Sequence, residues 1–191
     1  ESMTTSEVDE TPETVTVAMA ADDHIDEVFY NGQDIRHTVS NAASGASKLK
    51  TFTFSPVGCG AVLAIAANDN EPGTSAGFFL RCTSTDTQSR WHNLQIRPGH
   101  PDCKAFGTGG GDGHVGSMGR PHRYDAPHGW TNNHFDDLRW KRPTNTTNLN
   151  DNWNHGMAPG VWHDSHKYTF YRIQPDCDKL LGHARVKIHW I

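Results

Sequence analysis

The sequence is short of the features that mark several large protein classes. No apolar run approaches the roughly 20 residues that cross a bilayer as a helix, and no stretch repeats its apolar residues with helical period. Basic residues are in the minority: 17 Lys and Arg against 22 Asp and Glu give a net charge of -5 with His neutral. That balance argues against a nucleic-acid binder that works by neutralising phosphates. There is no Cys-x-x-Cys and no His-Glu-x-x-His, so zinc-knuckle and zincin chemistry lose their usual signatures. Gly109-Gly110-Gly111-Asp112-Gly113 lacks the Lys-Ser/Thr that a phosphate loop needs and reads as a loop. Carboxylates are plentiful, yet no spacing marks a hydrolytic pair.

What is present is a succession of short β patterns. Val15, Val17 and Met19 alternate with Thr14, Thr16 and Ala18, the two-residue period of a half-buried strand. An acidic corner at Asp22, Asp23, Asp26 and Glu27 follows, then Val28-Phe29-Tyr30 and the tight-turn dipeptide Asn31-Gly32. This reads as a β-hairpin. Phe52 and Phe54 alternate with polar neighbours among Lys50, Thr51 and Thr53. Ala61 to Ala67 is continuously apolar and short, as expected of a strand buried on both faces. Asn68 to Ser75 is a turn, Gly77 to Cys82 its return strand, and Trp91 to Ile96 a further strand. Tyr168 to Ile173 and Ala184 to Trp190 alternate again, the last most strictly. A terminal strand of that kind needs a partner, in its own sheet or on a neighbouring molecule. Short strands with regular turn signals and no helix indicate a β-sandwich or barrel.

Residues 1–13 are polar and acidic, which predicts a solvated tail or linker ahead of one domain over 14–191. The first residue is Glu1 rather than Met, so a signal peptide or pro-segment is expected to have been removed or to lie outside this sequence. From Pro98 to about His166, Gly, Pro, Asn, Asp and His crowd together with Trp130, Trp140, Trp153 and Trp162. Long loops pinned by aromatics, with one or two short strands, are expected there.

Cys59, Cys82, Cys103 and Cys177 are even in number, which predicts two disulfides among three possible pairings. Asn145-Thr146-Thr147 is an N-glycosylation sequon. Together they point to a secreted protein. The corner at Asp22 and Asp23 and the turn at Asp69 offer oxygen ligands suited to calcium, although turn chemistry also explains them. Trp130 and Trp140, in loops, are candidates for stacking on sugar rings. Eleven of the thirteen histidines fall from His92 onward, with His163 and His166 the closest pair. They read as scattered surface and loop residues, with weak metal or mineral contact as a collective alternative.

Several of these segments resemble galactose-binding-domain-like β-sandwiches, the type found in carbohydrate-binding modules and glycosidase accessory domains. AADDHIDEVFYNGQDI is similar to that family's Asp-Asp and Asn-Gly segment, and VLAIAANDNEPGTSAGFFLRC to its buried strand, turn and return strand. GWTNNHFDDLRW (Gly129 to Trp140) and VWHDSHKYTFYRI (Val161 to Ile173) resemble two later segments in the same order. The resemblance implies a jelly-roll sandwich with ligand sites on loops at one end, often beside a structural calcium. The Gly- and His-rich middle is longer than in that family, and no sugar-contacting residue can be carried over. The combined expectation is a secreted, non-catalytic sandwich that binds glycans or a matrix polymer, with no nucleic-acid or membrane partner. The alternative is a self-assembling structural protein forming a homo-oligomer, a filament or a mineral-associated matrix. An enzyme or an enzyme accessory domain is the third reading, with no catalytic set to support the enzyme version.

Overall fold

The computed structural model describes residues 12–21, 24–45, 48–58, 60–68, 75–96, 100–108, 127–140, 142, 161–164 and 168–176. Ten strands form two antiparallel sheets packed face to face. The first sheet contains β1 (Val15–Ala21), β4 (Lys50–Phe54), β6 (Ser75–Ser84), β7 (Gln95–Ile96) and β9 (Val161–Asp164). Its order is β4-β1-β6-β7, with β9 pairing the other end of β6. The second sheet has the order β3-β2-β5-β10-β8, from β2 (His24–Tyr30), β3 (Gln33–Asp34), β5 (Leu63–Asn68), β8 (Cys103–Thr108) and β10 (Tyr168–Ile173). The expected all-β sandwich is what the chain adopts, and no α-helix occurs among the described residues.

The alternation in β1 points Val15, Val17 and Met19 into the core, where they meet Phe78, Leu80 and Cys82 of β6 and Phe52 and Phe54 of β4. The facing sheet supplies Ile25, Val28, Tyr30, Leu63, Ile65, Tyr171 and Ile173. Each fully buried Val, Leu, Ile, Phe or Met contributes about 1.5–3 kcal/mol. Two stacked ring pairs cross between sheets, Phe78 on Tyr171 and Tyr30 on Phe54, each with centroids 4.1 Å apart. In β2 a bulge between Ile25 and Glu27 lets Ile25 and Val28 both face inward although they are three residues apart.

β5 is buried along its whole length, as its unbroken apolar run predicts. It is the central strand of its sheet, and its two faces belong to different cores. Leu63, Ile65 and Ala67 face the other sheet, while Ala64 and Ala66 face a second cluster containing Trp130, Trp140 and Phe170.

The expected hairpin over Val15 to Gly32 is not one hairpin. β1 pairs with β4 and β6, and β2 pairs with β3 and β5, so the two strands lie in opposite sheets. The hairpin is one step later. Asn31 and Gly32, at φ +50° and +82°, join β2 to β3 in a turn whose two positive φ angles suit this dipeptide. β6 likewise crosses to the sheet opposite β5 rather than returning beside it.

Lys50 differs from its expected place among the polar partners that alternate with Phe52 and Phe54. It shares the parity of Phe52 and Phe54 and is 0% exposed. Its Nζ donates to the carbonyl oxygens of Gly45 (3.0 Å), Ala21 (3.3 Å) and Lys48 (3.3 Å). A buried ammonium is tolerated because oxygen dipoles replace its water.

Cys82 and Cys103 are free thiols within the core, on opposite sheets, and burial pushes both thiols far up in pKa. The expected disulfides therefore do not form at these two positions, while Cys59 and Cys177 lie outside the described residues. Of the predicted tail, Glu13 is tied to the sandwich: its Oε1 accepts from Ser84 Oγ at 2.6 Å. Residues 1–11 and the predicted strand at 184–190 lie outside the described residues.

Candidate binding groove at one end of the sandwich

The outer face of the second sheet carries Phe29, Phe106 and Phe170, and residues 127–140 fold over them in successive turns. Gly129 takes φ +79° at the first turn. Trp130 packs edge-on against Phe170 at 5.0 Å, and Trp140 stacks on Phe106 at 5.4 Å. Both tryptophans are 6% exposed. A sugar stacks on an exposed aromatic face, and neither ring presents one, so the pair are packing residues in this structure.

Arg172 fastens the covering segment. It projects from β10 to this outer face and is 1% exposed. Its Nε donates to Asp137 Oδ2 at 3.0 Å, and its Nη1 donates to the carbonyls of Trp130 and of Asn132, the latter at 2.9 Å. The guanidinium also lies 5.1 Å above the Phe135 ring. This buried cation belongs to the scaffold.

Of the remaining expected positions, Asp22, Asp23, Asp69 and Asn145 lie outside the described residues. The residues flanking the two acidic turns, His24 and Asn68, are register partners at one end of the second sheet. Among the described residues, no group of three or more His, Cys, Asp or Glu side chains is placed to hold a metal ion.

The open space lies at the other end of the sandwich, where five chain segments meet. These are Glu13 before β1, the loop from Pro56 to Ala61, the turns from Asp86 to Leu94, the approach to β8 at His100 and Asp102, and Pro175-Asp176 after β10. Local turn chemistry shapes the Asp86 segment. Asp86 Oδ1 accepts the Gln88 N–H at 2.8 Å, Ser89 Oγ accepts the Trp91 N–H at 3.2 Å, and Asn93 takes φ +58°. Trp91 anchors the segment by turning its ring edge-to-face against Phe54 (5.0 Å) and Tyr30 (6.2 Å). The Tyr30 hydroxyl accepts the Val57 N–H at 2.9 Å and sets the neighbouring loop. Burial pushes the Tyr30 phenol up in pKa, and the Val57 hydrogen bond works against that rise. Gln174 ties three segments together, donating through Nε2 to Gly60 O (2.9 Å) and through its backbone N to Asp102 O (2.8 Å).

Two pockets result, of about 240 and 730 Å³, sharing Gln88, Ser89, Arg90 and Pro175. Arg90 spans the boundary between them, its Nη1 donating to Pro175 O at 3.2 Å. The larger volume is within the range of small-ligand sites. Its walls are mainly polar: Gln88, His92, Asn93, Gln95, His100 and Asp102 are among them. The two histidines present opposite characters. His92 Nδ1 contacts the Ser84 carbonyl at 3.1 Å, so Nδ1 carries the proton and Nε2 is an acceptor in the neutral ring. His100 Nδ1 accepts the Asp102 N–H at 3.2 Å, which puts its proton on Nε2. The wall thus contains both hydrogen-bond donors and acceptors, the groups that a polyhydroxylated ligand pairs with.

Sequence reasoning did not find this groove, because its residues are dispersed over five turns and become neighbours only through strand pairing. The available signals were the turn-forming residues between Ser84 and Ser89 and the Pro98-Gly99-His100-Pro101-Asp102 run at the start of the loop-rich stretch. Comparison with protein-family models, curated proteins and solved structures gave no match.

Proposed function

We propose that this protein is a non-catalytic β-sandwich of the galactose-binding, jelly-roll type, that it acts outside the cell, and that it binds a glycan or matrix polymer through the loop-end groove. One observation carries the reading: an open, polar pocket of about 730 Å³ lined by amide, imidazole and carboxylate side chains. Planar amide, carboxylate and imidazole groups pair with adjacent hydroxyls, and each groove wall is held by main-chain hydrogen bonds, which lowers the entropic cost of binding. Screening the intact protein on a glycan array tests the reading. Reproducible binding to one structural class supports it, and an array without signal overturns it.

A second reading draws on the sheet edge. β8 lies at the end of its sheet, and among the described residues it pairs only with β10. Six residues of edge strand can template pairing with another molecule, which favours a homo-oligomer or filament. Light scattering across a concentration series distinguishes this assembly from a monomer.

A further inference from the structure

The ladder between β5 and β10 ends at the Leu63 and Ile173 pair, but the two chains do not part there. Gln174 Nε2 donates to Gly60 O at 2.9 Å, and Gly58, Gly60, Ala61 and Pro175 line the same small pocket. The antiparallel register says which residues oppose each other along these extensions. Cys59 stands four residues before Leu63, and Cys177 stands four residues after Ile173. Continued without a shift, the register sets Cys59 directly opposite Cys177. Both lie outside the described residues, yet their chain neighbours Gly58, Gly60 and Asp176 are described, and one trans peptide step moves a Cα by only about 3.8 Å. Opposed residues of antiparallel chains stand about 4.5–5.5 Å apart at Cα. A disulfide takes about 4.4–6.8 Å.

The other two cysteines narrow the choice. Cys82 on β6 and Cys103 on β8 are free thiols inside the core. Of the three ways to pair four cysteines, two join Cys59 or Cys177 to one of these core thiols. Each would have to draw a fully buried side chain out of the sandwich, leaving a cavity behind it. Pairing Cys59 with Cys177 leaves the core as it is.

We propose that Cys59 and Cys177 form a disulfide that ties the 56–61 loop to the end of β10, with both core thiols left reduced. The bond forms by exchange with an external disulfide such as oxidised glutathione. One cysteine thiolate attacks a glutathione sulfur and expels the first glutathione thiolate. The second cysteine thiolate attacks the protein sulfur of that mixed disulfide and expels the other. Two protein thiols are oxidised, one glutathione disulfide is reduced, and the two thiol protons end on the two glutathiones. The link closes a loop over most of the chain, which removes freedom from the unfolded state. Such bonds persist in oxidising compartments, so the link supports the extracellular reading and is independent of what the groove binds.

Peptide mass mapping on the full chain tests this. The reduced, folded protein is incubated with oxidised and reduced glutathione, then unfolded in iodoacetamide without reductant and digested. The expected map joins the peptides holding Cys59 and Cys177 at a mass two hydrogens below their sum, with Cys82 and Cys103 both alkylated. Alkylation or glutathione addition at both Cys59 and Cys177, a link from either to a core thiol, or a disulfide-linked dimer on a non-reducing gel overturns the pairing. Reduction should lower the melting temperature by about 5–10 °C. Cys59→Ser with Cys177→Ser should melt as the reduced protein does and should not respond to reductant. A linked protein whose melting temperature ignores reductant overturns the role of the bond as a tie. The mapping uses the unmutated chain, so it decides the pairing whether or not the variant folds.

Discussion

The Arg172 guanidinium lies 3.0 Å from Asp137 Oδ2, with Arg172 1% exposed and Asp137 22% exposed. This ion pair joins the outer face of the second sheet to the segment that covers it. Removing Asp137 would strand a buried cation, and breaking such a pair costs about 3–5 kcal/mol. Asp137→Ala should lower stability by that amount in urea unfolding and shift tryptophan emission to longer wavelength as Trp130 and Trp140 gain water. A loss below about 1 kcal/mol, the worth of a surface pair, would show that the segment is held by its aromatics and by the Arg172 bonds to the Trp130 and Asn132 carbonyls rather than by the ion pair.

Lys50 is a second internal cation, held by three main-chain carbonyls. Lys50→Met keeps the length and apolar stem but leaves those oxygens without the ammonium. Gly45 O keeps the Lys48 N–H at 3.1 Å and Lys48 is exposed, so the loss falls mainly on the buried Ala21 carbonyl, and a buried carbonyl left unsatisfied costs about 1–3 kcal/mol. The variant should therefore lose about 1–3 kcal/mol, read as a lowered denaturation midpoint with unchanged m-value. A gain in stability would mean that desolvating the ammonium outweighs its hydrogen bonds.

The two core thiols should be chemically silent in the folded protein. Cys82 and Cys103 are fully buried, and burial raises both pKa values, for Cys103 with a further push from the Asp102 and Asp137 carboxylates. Thiolate is the reactive form. Iodoacetamide at neutral pH should leave both unmodified in native protein and label both after unfolding, as resolved by peptide mass mapping. Rapid labelling of either in the native state would contradict its placement in the core.

Alkaline pH should destabilise the fold. Burial raises the folded pKa of Cys82, Cys103 and Tyr171 above the unfolded values, which are about 8.5 for Cys and about 10 for Tyr. Above those values the unfolded chain releases protons that the native state retains, so stability falls as pH rises. The contribution is fully present below about pH 8 and declines by up to about 1.4 kcal/mol per pH unit for each group. Between about pH 9 and pH 11 the two thiols should make stability fall steadily as the unfolded chain ionises and the folded one does not. Cys82→Ala with Cys103→Ala should flatten that slope in pH-dependent urea unfolding.

Local rules carried the reading of individual strands further than the reading of their partners. The alternation at Val15, Val17 and Met19, the two-sided burial of β5 and the Asn31-Gly32 turn follow from residue period and turn chemistry, and all appear in the fold. Pairing is non-local. Nothing in Val15 to Gly32 by itself says that β1 and β2 occupy opposite sheets, because the same polar corner serves a hairpin or a crossing. Lys50 and Arg172 look like surface residues until the segments over them are in place. The groove was hidden for a related reason: turns such as Asp86 to Ser89 keep their own local chemistry, and only sheet assembly brings them beside His100 and Asp102.

The most direct test of groove binding is glycan-array screening of the native protein beside Gln88→Leu. Gln88 is exposed, lines both pockets and supports the turn through its backbone N–H rather than its side chain. The expected result is a defined set of bound glycans for the native protein and loss of most of that signal in the variant, with an unchanged melting temperature. An identical glycan profile for the two proteins would place the binding surface elsewhere and contradict the assignment of the groove.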